Sequence, residues 1–483
     1  MAQVGTPSET LVQTPVIPLV ALLVFGIALL LVLILRFKLQ AFLSLIVVSV
    51  VVAASSKLVN PDAVPLTQVA ETIVNSMGGA LGFIATIIGI GAIFGALLEH
   101  SGGTQSLANS LVKTFGVNKA PWAMLVTGFI ISIPVFLDVA LVILAPLLFA
   151  LARDTKKPYL LYGFCLVVGM AVTHAFVPPT PGPVVVAYIL GVNLGYVIMY
   201  GVIVGFPTAV ICGPWLCRRM ANKLDLPLPP LDVSVDEGDS ELPSFRLILL
   251  LIALPIALIL GSTIVEQVLA AGIPVGLDKD ERRSLLVAAM SDASWWKQGL
   301  IFFGHPVIAL LVSTIVALHF LGTKRGVDRE TLLKISTNAL GPAGIIILIT
   351  GAGGVFKGVL KETGITEALE LLFADSGIPI LVLAWVFATL IRIAQGSATV
   401  AMVTAAGLMT SFSSELNQSQ LALVTIAIAA GATGFSHVND SGFWMISRYL
   451  RMSEAETLRT WTVLSTCISL VGFGLACITW ILI

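Results

Sequence analysis

The polar side chains able to do chemistry gather at four interruptions in long apolar runs. Two read "ISIPVFLDVALVILAP" (131–146) and "IRIAQGSATVA" (391–401); two read "THAFVPPTPGP" (173–183) and "SHVNDSGFW" (436–444). Pro134 breaks a helix interior, and Asp138 follows it in an apolar setting. Gly396, Ser397 and Thr399 suit a tight helical tip, with Gln395 beside them and Arg392 one turn earlier. Pro178, Pro179, Pro181 and Pro183 cannot continue a helix, and Asn439-Asp440-Ser441-Gly442 is a turn sequence. Unwound backbone at membrane depth is tolerated only where protein buries it or it lines a wet cavity. Half-helices that begin there present free N–H groups and a positive dipole end, a backbone site for an anion. A carboxylate substrate fits such a site, and nearby Ser, Thr, Asn, Gln and His side chains suit hydroxyl groups. The candidate substrate-binding residues are therefore Thr173, His174, Pro178, Thr180, Gly182, Gln395, Gly396, Ser397, Thr399, His437, Asn439, Ser441 and Gly442. Burial favours the neutral form of a carboxylate, which makes Asp138 and Asp440 the candidate proton carriers.

Each has a plainer reading. His174 and His437 fit as hydrogen-bonded core residues, although their matching places beside two breaks favour a site. Arg392 either pairs with Asp440 or Asp138, or meets the substrate carboxylate. Cys165, Cys212, Cys217, Cys467 and Cys477 lie in apolar runs without metal spacing, so neither metal nor cofactor is expected. Gly89-x-Gly91-x-x-x-Gly95 follows no strand and suits close helix packing rather than nucleotide binding. No phosphate-binding loop appears, so an ion or substrate gradient must supply the energy.

The elements that position these residues are membrane helices. Of 483 residues, 57% are apolar and 11% charged, against about 25% charged in a soluble domain. That excludes a soluble enzyme and a disordered chain. The 26 basic and 27 acidic side chains nearly cancel, so nucleic acid is not an expected partner. The first fifteen residues lack Lys and Arg, and with them the positive region of a signal peptide. Long apolar stretches predict an all-α polytopic fold. Basic residues gather on one side, taken as cytoplasmic, provided stretches 121–150 and 378–412 turn back within the membrane.

The halves resemble each other: "GAIFGALLEHSGGTQSL" from Gly91 aligns with "GGVFKGVLKETGITEAL" from Gly353, Trp122 with Trp385, and Thr173–His174 with Ser436–His437. The expected organisation is an N-terminal tail (1–15), a first inverted repeat (16–224; hairpin 121–150, broken helix 159–190), a cytoplasmic linker (225–245) and a second inverted repeat (246–483; hairpin 378–412, broken helix 420–445). Each repeat then holds five transmembrane helices and one re-entrant hairpin. Loop 273–298 reads as ordinary connection. Inverted repeats with discontinuous helices are the pattern of alternating-access transporters.

At these motifs, above all "THAFVPPTPGP" and "FSHVNDSGFW", nearly the whole chain resembles the gluconate:proton symporter family of the ion transporter superfamily. The resemblance implies an inner-membrane carrier taking up a sugar acid such as gluconate with protons, through an elevator-type homodimer. Thr180 stands where gluconate carriers commonly have His, Asp138 where they tend to have Glu, and Ser441 where they have Pro. Other readings are a D-serine or glycerate symporter, a cation/proton antiporter of the same superfamily, and an intramembrane hydrolase using a histidine with Asp440. Neither a nucleophile elbow nor a zinc motif supports the hydrolase.

Overall fold

The computed structural model describes residues 15–135, 137–224, 226–227, 242–274, 279–374, 378–412 and 416–483. Most of the expected tail and linker lies outside them. The first half runs α1 (Val16–Leu35), α2 (Ala41–Ser56), α3 (Val69–His100), α4 (Gly103–Phe115), α5 (Ala120–Ile131), α6 (Leu137–Thr155), α7 (Tyr159–Phe176), α8 (Pro181–Leu190), α9 (Leu194–Cys212) and α10 (Pro214–Ala221). The second runs α11 (Phe245–Ala270), α12 (Lys279–Ser291), α13 (Trp295–Gly304), α14 (Pro306–Ala317), α15 (Arg329–Glu362), α16 (Ile365–Ala374), α17 (Ile380–Gln395), α18 (Ala398–Met409), α19 (Gln418–Thr433), α20 (Ser441–Tyr449) and α21 (Glu454–Leu482). Among the described residues, 8 helical segments are long and apolar enough to cross a membrane.

Helices follow from the solvent: in lipid a chain must satisfy its own N–H and C=O groups, and helices do so within one segment. The breaks fall where that logic fails. Pro179 and Pro181 remove donors between α7 and α8, and residues 434–440 separate α19 from α20, so that of the expected turn sequence Asn439 and Asp440 lie in the break while Ser441 and Gly442 open α20. Loop 273–298 is more ordered than expected, since 279–291, rich in Arg, Leu and Ala, forms α12. Short α4 and α16 follow the long helices and were not foreseen as separate elements. Each is preceded by a left-handed glycine, Gly102 at φ 73° and Gly364 at φ 81°, a conformation that favours a residue without Cβ.

The helices pack as two groups. α1–α3 and α11–α15 form a frame, with α3 laid along α15. α5–α9 and α17–α21 form a core, in which α5 packs on α7, α17 on α19, and α9 and α21 on both. The Val64 N–H donates to Glu362 O at 3.2 Å, so α3 begins where α15 ends and the two run in opposite directions. Hydrogen bonds sort helix ends onto two faces. On one, Tyr159 donates to Leu450 O at 2.9 Å. On the other, the Asn60 amide donates to Thr363 O at 3.1 Å and the Asn193 amide to Glu266 at 2.7 Å. Arg153, Lys156, Lys157, Arg448 and Arg451 lie at helix ends on the first face.

Close approach is built from small residues. A Cβ on Gly128 would meet Leu166 O at 2.2 Å, and one on Gly169 would meet Leu125 O at the same distance. Reciprocal glycines thus bring α5 and α7 into backbone contact, the small-residue packing expected inside membranes.

Candidate functional site

Four chain breaks meet inside the core. α5 ends at Ile131 and α6 begins at Leu137; α17 ends at Gln395 and α18 begins at Ala398. α7 gives way to α8 between Phe176 and Pro181, and α19 to α20 between Thr433 and Ser441. α6, α8, α18 and α20 thus each begin a few residues after the preceding helix ends.

The second tip and second break are stitched together. Arg392, 4% exposed, donates through its guanidinium to the Asp440 carboxylate and to Gly396 O, and at 3.4 Å to Gly434 O. Arg392 and Asp440 form an ion pair. The same carboxylate accepts from the Ser436 hydroxyl and from the Gly442 N–H at 2.9 Å. Ser436 in turn accepts from Trp461 Nε1 at 2.8 Å. The Asn439 amide donates to Ile393 O at 2.9 Å, and His437 Nε2 lies 3.0 Å from the same oxygen. Gly396 is left-handed at φ 79°, and a Cβ there would sit 2.2 Å from Asn439 O. Asp440 thus places a negative charge at the start of α20, where the helix dipole favours one. Ser397 caps α18, accepting from the Val400 N–H at 3.3 Å. Thr399 is half-buried in the first turn of α18, and Ser441 is exposed at the start of α20.

The first break is built differently. Thr173 donates to Phe129 O at 2.8 Å, tying α7 to α5 and spending its hydroxyl on structure. The Thr180 hydroxyl donates to Val177 O at 2.7 Å within the break, whose Pro178 is buried. No side chain caps α8. Pro181 and Pro183 carry no N–H, so Gly182 holds the amide donor between them. A Cβ on Gly182 would meet Met402 Sδ at 2.5 Å, so α8 starts against α18.

Cavities open beside this first break. One of about 20 Å³ is lined by Phe94, Pro134, His174, Thr180 and Pro181, among others. Another of about 300 Å³ runs between α3, the first tip and α15, past Glu99, His100 and Asn338. Both include Ala92, Pro134 and Val135 in their walls. They lie between frame and core.

Each tip also holds a buried polar side chain without a hydrogen-bond partner among the described residues, Ser132 Oγ on the first and both amide atoms of Gln395 on the second. Such groups are costly to bury unless something else satisfies them. Ser132 was missed from sequence, though the offset that pairs Trp122 with Trp385 also pairs Ser132 with Gln395. Asp138 falls in the first turn of α6, and its side chain lies outside the described residues. Among the described residues no His/Cys/Asp/Glu cluster offers a metal site.

The GntP family permease profile matches residues 17–483. The chain is 36% identical to the low-affinity gluconate transporter of Escherichia coli (strain K12), covering 94% of this chain and 96% of that one. It is 36% identical to the gluconate permease of Bacillus subtilis (strain 168), covering 93% and 96%. The fold is similar to that of the Alcanivorax borkumensis YdaH transporter, with TM-score 0.59 and 14% identity over 97% of this chain and 98% of that one. The chain belongs to the GntP permease family, and is a multi-pass transport protein of the inner membrane rather than an enzyme.

Proposed function

We propose that this permease imports a sugar acid, gluconate or a close relative, together with protons. The observation that carries this reading is the start of α8, which no side chain caps and whose N-cap Thr180 and first residue Pro181 line a small cavity between core and frame, while the equivalent start of α20 is capped by the protein's own Asp440. An anion at Gly182 completes the first break as Asp440 completes the second. Thr180, His174, Gln395 and Ser132 then face the hydroxyl-bearing chain, and both relatives named above are gluconate carriers.

The core moves against the frame as an elevator, and the two halves are inverted repeats. Supporting this, α3 and α15 are antiparallel, while their ends, the left-handed glycines after them and the starts of α4 and α16 recur at one spacing. The tips read as re-entrant, since α6 packs on α4 and α20 while α18 packs on α8, close to opposite faces. Asp138 and Asp440 carry the coupling protons. Protonating Asp440 would remove the charge that holds Arg392, loosening the second tip when the site reorients. The working unit is a homodimer.

Counterflow of labelled gluconate, D-serine and glycerate in proteoliposomes tests the substrate. Exchange of gluconate is expected; exchange of none of the three refutes the reading. Asp138→Asn and Asp440→Asn should each abolish proton-driven accumulation. Retention by both would remove these carboxylates from the coupling step.

A further inference from the structure

Resting on the moving-core reading, we infer that the turn between α8 and α9 is a latch that holds the core to the frame on the face away from the basic helix ends. Hydrogen bonds with three frame helices converge on residues 188–193. The Tyr188 hydroxyl donates to Gly79 O of α3 at 2.5 Å, and its ring stacks on Phe83 of the same helix with centroids 5.9 Å apart. The Lys357 ammonium of α15 donates to Ile189 O at 2.5 Å. From α11, Glu266 accepts from the Asn193 amide at 2.7 Å, and the Thr263 hydroxyl donates to Asn193 Oδ1 at 3.1 Å. A Cβ on Gly195 would sit 1.9 Å from Thr263 Oγ1, so the start of α9 lies directly against α11.

Two features make these contacts a latch. First, the turn is fixed within the core: the Asn193 N–H donates to Gln418 Oε1 at 2.7 Å, and the Gln418 amide donates to Gly191 O at 3.3 Å, both on the first residue of α19. α8 is a single helix of 10 residues, so a hold on its end is also a hold on the first break at its start. The Lys357 cation meets α8 where the last carbonyls lack helical partners and the dipole is negative. Second, the contacts gather toward one face. Gly79 and Lys357 lie in the half of the α3–α15 pair marked by the Val64–Glu362 hydrogen bond. At the opposite end, Glu99, His100 and Asn338 line the cavity of about 300 Å³ between the frame and the first tip. The interface is tied on one face and parted on the other, the arrangement of a carrier held at one end of its travel. A core that moves to close this cavity must first break the contacts at 188–193.

The test places a reporter thiol, Asn338→Cys, in the cavity of the full chain. Its labelling by a membrane-impermeant maleimide is timed on vesicles with the basic face outward, and the chain with its own cysteines alone gives the background. Tyr188→Phe and Lys357→Met, singly and together, should shift the core away from the position seen here, by about tenfold for the pair, and so slow the labelling. Unchanged or faster labelling in all three variants overturns the inference, and a fall in melting temperature without slower labelling makes these residues structural. In a second arm, Gly79→Cys and Tyr188→Cys in one chain are joined with a bismaleimide. Gluconate counterflow should stop on cross-linking and continue in the treated parent. Counterflow that survives complete cross-linking refutes the moving core and the latch together; its loss with labelling unchanged in the other variants removes the latch alone.

Discussion

At the first break the chain has Phe129 and Val177; 263 residues on, the matching positions are Arg392 and Asp440. One tip is held by apolar packing, prolines and the Thr173–Phe129 hydrogen bond; the other by a buried ion pair with hydrogen bonds on every side. The two regions are therefore completed in different ways. The second break is completed from within, and Asp440 occupies its helix start. At the first, no described side chain caps the start of α8, which lies beside the cavities. A single small anion needs one such opening, and a second uncapped start would leave buried amides unsatisfied when the first was filled.

The largest effect expected from disturbing this contrast comes from the ion pair. Arg392→Ala or Asp440→Asn leaves a buried partner uncompensated, which costs about 3–5 kcal/mol. Thermal unfolding in detergent should show a large loss for each, and transport should fail. The double variant Arg392→Met/Asp440→Leu should recover much of the stability without recovering transport. Single variants as stable as the parent would mean that the pair does not hold the second break.

Gly396→Ala comes next. Its left-handed backbone costs a Cβ about 1–2 kcal/mol, and the added atom collides with Asn439 O. The melting temperature should fall, by less than for the broken pair, and transport should drop because the tip is displaced. An unchanged tip would show that the two breaks tolerate side chains equally, as Ile133 already does at the matching first-half position.

Ser132→Ala and Gln395→Leu sharpen the comparison in the opposite sense. Both groups are buried without protein partners, so their removal should leave the ligand-free protein equally stable or slightly more so. What should shrink is the rise in melting temperature that gluconate produces by binding the native state. Destabilisation of the ligand-free protein would make them structural.

The smallest effect lies outside both breaks. Asp328 caps α15, accepting from the Thr331 hydroxyl at 2.7 Å and the Thr331 N–H at 2.9 Å. The Thr331 side chain, then its backbone, holds the Asp328 carboxyl below its usual range. Its contribution is therefore present at neutral pH and fades as pH falls through that lowered value. Asp328→Ala should lower the melting temperature slightly at neutral pH, converge with the parent in strong acid, and leave transport unchanged. A transport defect would tie this cap to the moving parts.

Much of this could be read from residue order. The spans follow from hydropathy, the breaks from Pro178–Pro183 and Asn439–Gly442, and the matching halves from the glycine and tryptophan spacing. What the order of residues did not reveal is the use each break makes of its groups. Thr173 and Asn439 both look like ligands for hydroxyls, yet each bonds a backbone carbonyl of the neighbouring tip. The choice made by Arg392 depends on a distance across 48 residues, which no local pattern encodes.

A cryo-electron microscopy map of the permease with gluconate reads most directly where the substrate's carboxylate binds. The density should place the carboxylate at the start of α8, on the Gly182 amide beside Thr180, with Arg392 still paired to Asp440. A carboxylate seated on Arg392, with Asp440 displaced from the start of α20, would contradict it.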